Sequence, residues 1–294
     1  MKSVRSCAVA VCILLPTSAH ADLPLTVEDL ITDKGKIKLD VSLSYVNQDF
    51  QDVAIDKPVD VLTGTSTVTL PSEIGDFRGN SDIVVGTLGL RYGLSDRLEL
   101  HSRASWAYGS SRISFLGEID NESEEDFLNA WVGLNYEFKK DGDTAGFLGF
   151  AEVTLREKYP KNSVSFKSYM LGTTIYHAID PIVFSLTSSY LLNQVRQLGD
   201  EHGDAYKPGN VLTVNPSVAF ATNDRITLTT GFRWANRQPN TFNGKTEDFR
   251  HTITDLLLGV GYGVSKGSIV SVTFFGNVSG RNGADLRLNW LYTL

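Results

Sequence analysis

The residues best placed for chemistry are ionisable side chains that recur at alternate positions. They are Lys38 and Asp40; Arg91; Glu99, His101 and Arg103; Glu137; Glu152 and Arg156; Lys167; Arg233; Asp255; and Asp285 with Arg287. A spacing of two places neighbours on the same face of a β-strand, so each set reads as one polar strand face. Acids and bases are nearly balanced there, which predicts cross-strand ion pairs rather than one strong field, for example Arg91 with Glu99 if Tyr92 lies opposite Leu98. His101 and Ser102 are adjacent, hence on opposite faces, and make no base and nucleophile pair. No G-x-S-x-G, H-E-x-x-H or Cys/His metal spacing occurs. No catalytic residue, metal or cofactor is expected, and the polar face is expected to line an interior.

The elements that carry this face have an apolar face behind it. In 82–93, Val84, Leu88, Leu90 and Tyr92 oppose Val85, Thr87, Gly89 and Arg91. In 97–109, Leu98, Leu100, Ala104, Trp106 and Tyr108 oppose Glu99, His101 and Arg103. The helical period is nearly absent past residue 35, and the pattern predicts strands at 36–47, 82–93, 97–109, 126–138, 145–157, 166–178, 182–193, 210–221, 225–236, 251–264, 268–279 and 285–294. Short turns at Ser95-Asp96, Asp141-Gly142, Asp180-Pro181, Asn223-Asp224 and Lys266-Gly267 alternate with longer polar stretches near 48–81, 109–125, 158–165, 194–209, 237–250 and 280–284. Strands of this length are about twice those of soluble sandwiches and too long for propeller blades, but they match a tilted membrane strand. The fold class expected is all-β, a transmembrane antiparallel up-and-down β-barrel of about 12 strands over 36–294. Pro216 removes a ladder donor, so a bulge or weakened pair is expected there.

Composition is consistent with two averaged faces. The mean hydropathy is −0.10, and no apolar run reaches membrane-helix length outside the N-terminus, which excludes a helical membrane protein. Lys2 and Arg5, the apolar run Cys7 to Leu15, Pro16 and Ala19-His20-Ala21 read as a signal peptide over 1–21, cleaved after Ala21. Cys7 and Cys12 leave with it, and 25 basic residues then face 34 acidic ones. So acidic an exported chain argues against a nucleic-acid partner. Residues 22–35 form a periplasmic segment. In it, Thr26 and Asp29 resemble a capping box, and Val27, Leu30 and Ile31 share a face; it is a short plug helix or a tether.

Aromatic residues mark the strand ends. Tyr92, Tyr136, Tyr176, Phe220, Tyr262 and Tyr292 precede the short turns or the C-terminus and are expected to point outward as an interface girdle, with Trp106, Tyr108, Tyr190 and Trp234 at the other rim. Phe127, Trp131, Phe150, Tyr169 and Phe275 point inward by the same parity. The final strand, Asp285 to Leu294, with Leu286, Leu288, Trp290, Tyr292 and Leu294 on one face, resembles the C-terminal signal read by the barrel assembly machinery.

The repeats Leu88-Gly89-Leu90-Arg91-Tyr92-Gly93-Leu94-Ser95-Asp96-Arg97 and Val132-Gly133-Leu134-Asn135-Tyr136 resemble a family of outer-membrane transporters associated with the meta-cleavage pathway of phenol degradation. The barrels of functional-amyloid secretion channels look related. The resemblance implies the outer membrane of a Gram-negative bacterium, with lipid and lipopolysaccharide around the barrel. The function expected is passive uptake of small, aromatic or hydrophobic solutes. The alternative is export of a secreted polypeptide such as an amyloid subunit, and a third reading is a structural or adhesive barrel. Twelve strands lie between the eight that side chains fill and the sixteen that leave an open channel, so a narrow or gated pore is expected. Val59 to Leu70 within the longest loop either extends a hairpin outward or folds in as a constriction. The run Glu118 to Asp126, with six carboxylates, reads as a solvated loop ahead of a site for Ca²⁺ or a cationic ligand, since no spaced cage is evident.

Overall fold

The computed structural model describes residues 30–49, 56–63, 66–73, 80–115, 118–159, 162–197, 204–279 and 283–294. The leader over 1–21 and the 26–31 turn, except for Leu30 and Ile31, lie outside these residues.

Among the described residues, twelve long strands form one closed barrel: β1 (Ile37–Asp49), β2 (Asn80–Ser95), β3 (Leu98–Phe115), β4 (Glu118–Lys139), β5 (Gly146–Tyr159), β6 (Ser168–Ile179), β7 (Ile182–Asn193), β8 (Val211–Ala221), β9 (Ile226–Arg237), β10 (His251–Ser265), β11 (Ser268–Asn277) and β12 (Ala284–Thr293). Each pairs antiparallel with its neighbours in the chain, and β1 also pairs with β12, from Lys38 opposite Thr293 to Asn47 opposite Ala284. That pairing leaves the sheet without an edge. The alternation explains the closure: Leu88, Leu90 and Tyr92 are exposed outward while Thr87, Gly89 and Arg91 are buried inward.

The wall is taller than the alternation implied. β3 has 18 residues and β4 has 22, against the ten or so a tilted strand needs to cross a bilayer. The acidic run Glu118 to Asp126, expected as a loop, is the first part of β4 and pairs with Ala107 to Phe115. The hairpin therefore rises well above the apolar band. Lys158 on β5 pairs there with Glu124 (3.2 Å) and with Asp126.

Bulges adjust this wall. Ser105 and Trp106 pair with Asn129 and Phe127, leaving Leu128 as the extra residue; Ala130 and Trp131 pair with Arg156 and Thr154, leaving Leu155 extra. Each extra residue reverses the facing of its strand from that point on. The β8–β9 ladder is interrupted at Asn215 and Pro216, between the pairs Val214–Trp234 and Ser217–Gly231, which is the weakened pairing that a missing N–H predicts.

Residues 56–63 and 66–73 do not extend the β1–β2 ladder as part of the barrel wall. Asp56–Thr63 and Ser66–Glu73 form a separate two-stranded sheet, and the second of these strands approaches β7, across the barrel from β1. Four short strands (Arg196–Gln197, Ala205–Lys207, Thr241–Phe242 and Lys245–Thr246) make a further small sheet from two of the long loops. At the other end the turns are tight. Gly267 adopts φ +74 in the β10–β11 turn, a conformation that glycine takes without strain.

Candidate functional site: the barrel lumen

At the short-turn end, the chain before β1 bends into the barrel. Lys34 bridges Gly93, Gly35 donates to the Gly93 carbonyl at 2.8 Å, and Ile31 and Thr32 are buried. Glu99 holds this segment. It accepts from the Thr32 amide (2.7 Å), Arg91 Nε (2.9 Å) and Asn135 Nδ2 (2.7 Å), while Arg91 Nη2 donates to the Leu30 carbonyl (2.8 Å). The expected Arg91–Glu99 pair forms, but on a diagonal. Tyr92 lies opposite Leu100 rather than Leu98, so Gly93 and not Arg91 neighbours Glu99 directly. Outside the wall, the Lys36 ammonium hydrogen-bonds Asp33 (2.6 Å) and lowers that carboxyl below its ordinary range, though both groups are solvated.

The next layer crosses three strands. His101 Nε2 lies 2.9 Å from Glu152 Oε1, and Arg103 Nη2 donates to Glu152 Oε2 at 2.7 Å. Arg103 also stacks its guanidinium carbon 4.9 Å from the centre of the Trp131 indole. On the opposite wall Arg233 Nε donates to Asp255 Oδ2 (2.8 Å), and Asn277 Nδ2 to Asp255 Oδ1 (2.9 Å). Arg287 Nη2 donates to Asp285 Oδ2 (2.7 Å), and both Arg233 and Arg287 lie over the Phe275 ring at 4.5 and 4.6 Å. Lys38 and Asp40 are buried on β1, and the Asn289 side-chain amide, oriented by its neighbours, donates to Asp40 Oδ1 at 2.7 Å. Glu137 is buried and accepts from the Tyr176 hydroxyl at 2.8 Å.

Three expected placements are corrected together, because β6 presents the opposite face to the one read from the sequence. Met170, Thr174 and Tyr176 are buried, while Leu171 and Ile175 are exposed. Tyr176, expected in the girdle, is therefore 2% exposed, with its ring over Gly146. Lys167 immediately precedes β6 and is not on its inner face, and Tyr169 points outward with its hydroxyl on the Phe166 carbonyl (3.0 Å). Tyr92, Tyr136, Phe220, Tyr262 and Tyr292 are exposed on the outer face.

Two further corrections come from the bulges. Leu155 turns Arg156 outward, where its guanidinium lies 6.0 Å from the Phe127 ring, and Leu128 turns Phe127 outward against Trp106. Glu157 takes the inward position instead. It accepts from Arg196 Nε (3.0 Å), whose Nη2 reaches Ser168 Oγ (2.8 Å) and whose Nη1 reaches the Gln194 carbonyl (3.1 Å). Glu157 was missed because the Leu155 bulge reverses parity within β5, and Arg196 and Arg237, which donates to Asn240 Oδ1 at 2.9 Å, because they lie beyond the strand ends that alternation marks. Among the described residues, seven acids and, His101 aside, seven bases are buried in all. No group of three or more His, Cys, Asp or Glu among them is arranged to hold a metal.

No protein-family model and no curated protein matches the chain. In three dimensions it is similar to the COG4313 outer membrane channel from Pseudomonas putida F1, with a TM-score of 0.63 and 12% identity over 96% of this chain and 100% of that one. It is also similar to the NanC porin, with a TM-score of 0.51 and 13% identity over 87% of this chain and 100% of the porin. At these identities the likeness shows the fold, which is that of outer-membrane channel and porin barrels.

Proposed function

We propose that the protein is an outer-membrane channel for passive uptake of small, aromatic or apolar solutes. The observation that carries this reading is the composition of the inner wall. Buried ion pairs neutralise one another beside Trp131, Phe150, Met170 and Phe275, so the interior favours neither ion sign strongly and is apolar as well as charged. The phenol meta-cleavage resemblance of the Leu88 and Val132 repeats supports an aromatic cargo. A lumen crossed by side-chain pairs suits a small molecule better than a polypeptide in transit. In this setting the outer face contacts lipid and lipopolysaccharide, and the barrel assembly machinery inserts the chain.

Vesicle swelling tests the reading. Vesicles carrying the barrel should swell faster in phenyl glucoside, which does not cross lipid unaided, than in a disaccharide, and planar bilayers should show small conductance steps. Absence of both swelling and current would overturn it.

A further inference from the structure

We propose that Arg103 and Trp131 form a binding site on the inner wall for the carboxylate of a solute with an apolar body. This rests on the channel reading above and names a class of solute within it. The two residues are register partners on β3 and β4, both almost fully buried, with the guanidinium over the indole. Arg103 uses Nη2 on Glu152, but its Nε and Nη1, and Trp131 Nε1, reach no acceptor among the described residues. A buried N–H without an acceptor costs about 1–3 kcal/mol, so three on two touching side chains point to an oxygen supplied from outside the chain.

Arg196 shows the contrast. Each of its guanidinium nitrogens finds an oxygen within the protein: Nε on Glu157, Nη1 on Gln194 and Nη2 on Ser168. That arginine locks structure, whereas Arg103 leaves donors open. Glu152 reaches only Nη2 of Arg103, its other oxygen lying 2.9 Å from His101 Nε2.

A carboxylate supplies two acceptor oxygens and forms strong hydrogen bonds with a guanidinium. The side chains around Trp131 are chemically matched to an apolar body, since Trp131 belongs to one buried cluster with Val85, Phe150 and Met170. Asn129 Oδ1, two register pairs toward the long loops, also finds no donor among the described residues and suits a ligand hydroxyl. Because Glu152 already neutralises Arg103, the site holds an anion weakly, as release from a channel requires.

The test is calorimetric titration of the full barrel in detergent with sodium benzoate, alongside acetate, which lacks the body, and phenyl glucoside, which lacks the carboxylate. Benzoate should bind at millimolar concentration and the other two at least about tenfold more weakly. Trp131→Phe, which keeps the ring and removes the N–H, should weaken benzoate about tenfold. Arg103→Gln with Glu152→Gln, which keeps the wall neutral, should abolish binding. Benzoate binding that is absent, or unchanged in both variants, overturns the site. If phenyl glucoside still swells vesicles in that case, the channel reading stands. If no solute passes and no current flows, the channel reading fails whatever benzoate does.

Discussion

His101 on β3 and Glu152 on β5 meet at 2.9 Å across an intervening strand, because Gly133 between them has no side chain. A Cβ there would stand 2.6 Å from both His101 Nε2 and Glu152 Cγ, and 2.5 Å from the Ala151 carbonyl. Gly133→Ala must push the pair apart and leave buried polar atoms unmatched. A loss of about 1–3 kcal/mol is expected in urea unfolding of the detergent-refolded barrel; an unchanged midpoint would contradict the bridge.

Glu99 is the anchor of the entering chain, since it bonds Thr32, Arg91 and Asn135 together. Glu99→Gln weakens the charge-assisted hold, and deletion of 22–33 removes the inserted residues. Both should enlarge single-channel conductance in planar bilayers. Conductance equal to the wild type in the two variants would show that the segment is no barrier to flow.

The short turn between β4 and β5 is tied to β6 by Asp141, whose carboxylate lies 2.8 Å from His177 Nδ1 and accepts from the Ala178 amide at 2.7 Å. Burial pushes this carboxyl up, but the bonds from His177 and Ala178 outweigh it and hold it below the ordinary range. A lowered folded value means that the stabilisation is present above the ordinary carboxylate range and is lost as pH falls through the folded value. Unfolding midpoints should therefore drop below about pH 4 in the wild type and drop less in Asp141→Asn. Parallel pH curves for the two proteins would refute this.

Pro216 interrupts the β8–β9 ladder, and its carbonyl lies where a Cβ on Gly231 would be 2.4 Å away. Pro216→Thr restores an N–H to the wall. The thermal midpoint of the folded, heat-modifiable band should rise, by roughly the 0.5–1.5 kcal/mol of a recovered hydrogen bond. A fall instead would mean that the gap is held open by packing and not by the missing donor.

The barrel was legible wherever alternation was clean. β2 and β3 alternate leucine and tyrosine against arginine and glutamate, and Arg91, Glu99, His101 and Arg103 all lie on the inner face. In β6 the run Tyr169-Met170-Leu171-Gly172-Thr173-Thr174-Ile175-Tyr176 has large apolar residues on both faces, so parity alone does not choose. A tyrosine able to reach Glu137 settled it. Arg156 was misplaced for a different reason: a bulge at Leu155 adds one residue with no composition signal, and everything beyond it changes sides. The acidic stretch of β4 looked like a loop because of its dense charge, yet pairing with β3 keeps it extended.

The β1–β12 seam has a consequence for how the molecule is made. β1 can satisfy one of its two edges only with β12, the barrel strand farthest from it in the sequence, so that edge stays open until β12 pairs. Joining ends so far apart in the chain is slow, and meanwhile the exposed rim invites pairing with other polypeptides. Loss of even the terminal segment Asp285 to Leu294 therefore leaves two unsatisfied rims instead of a slightly smaller cylinder. Closure of the sheet is therefore a single event, the zipping of Val41 against Trp290 and its neighbours.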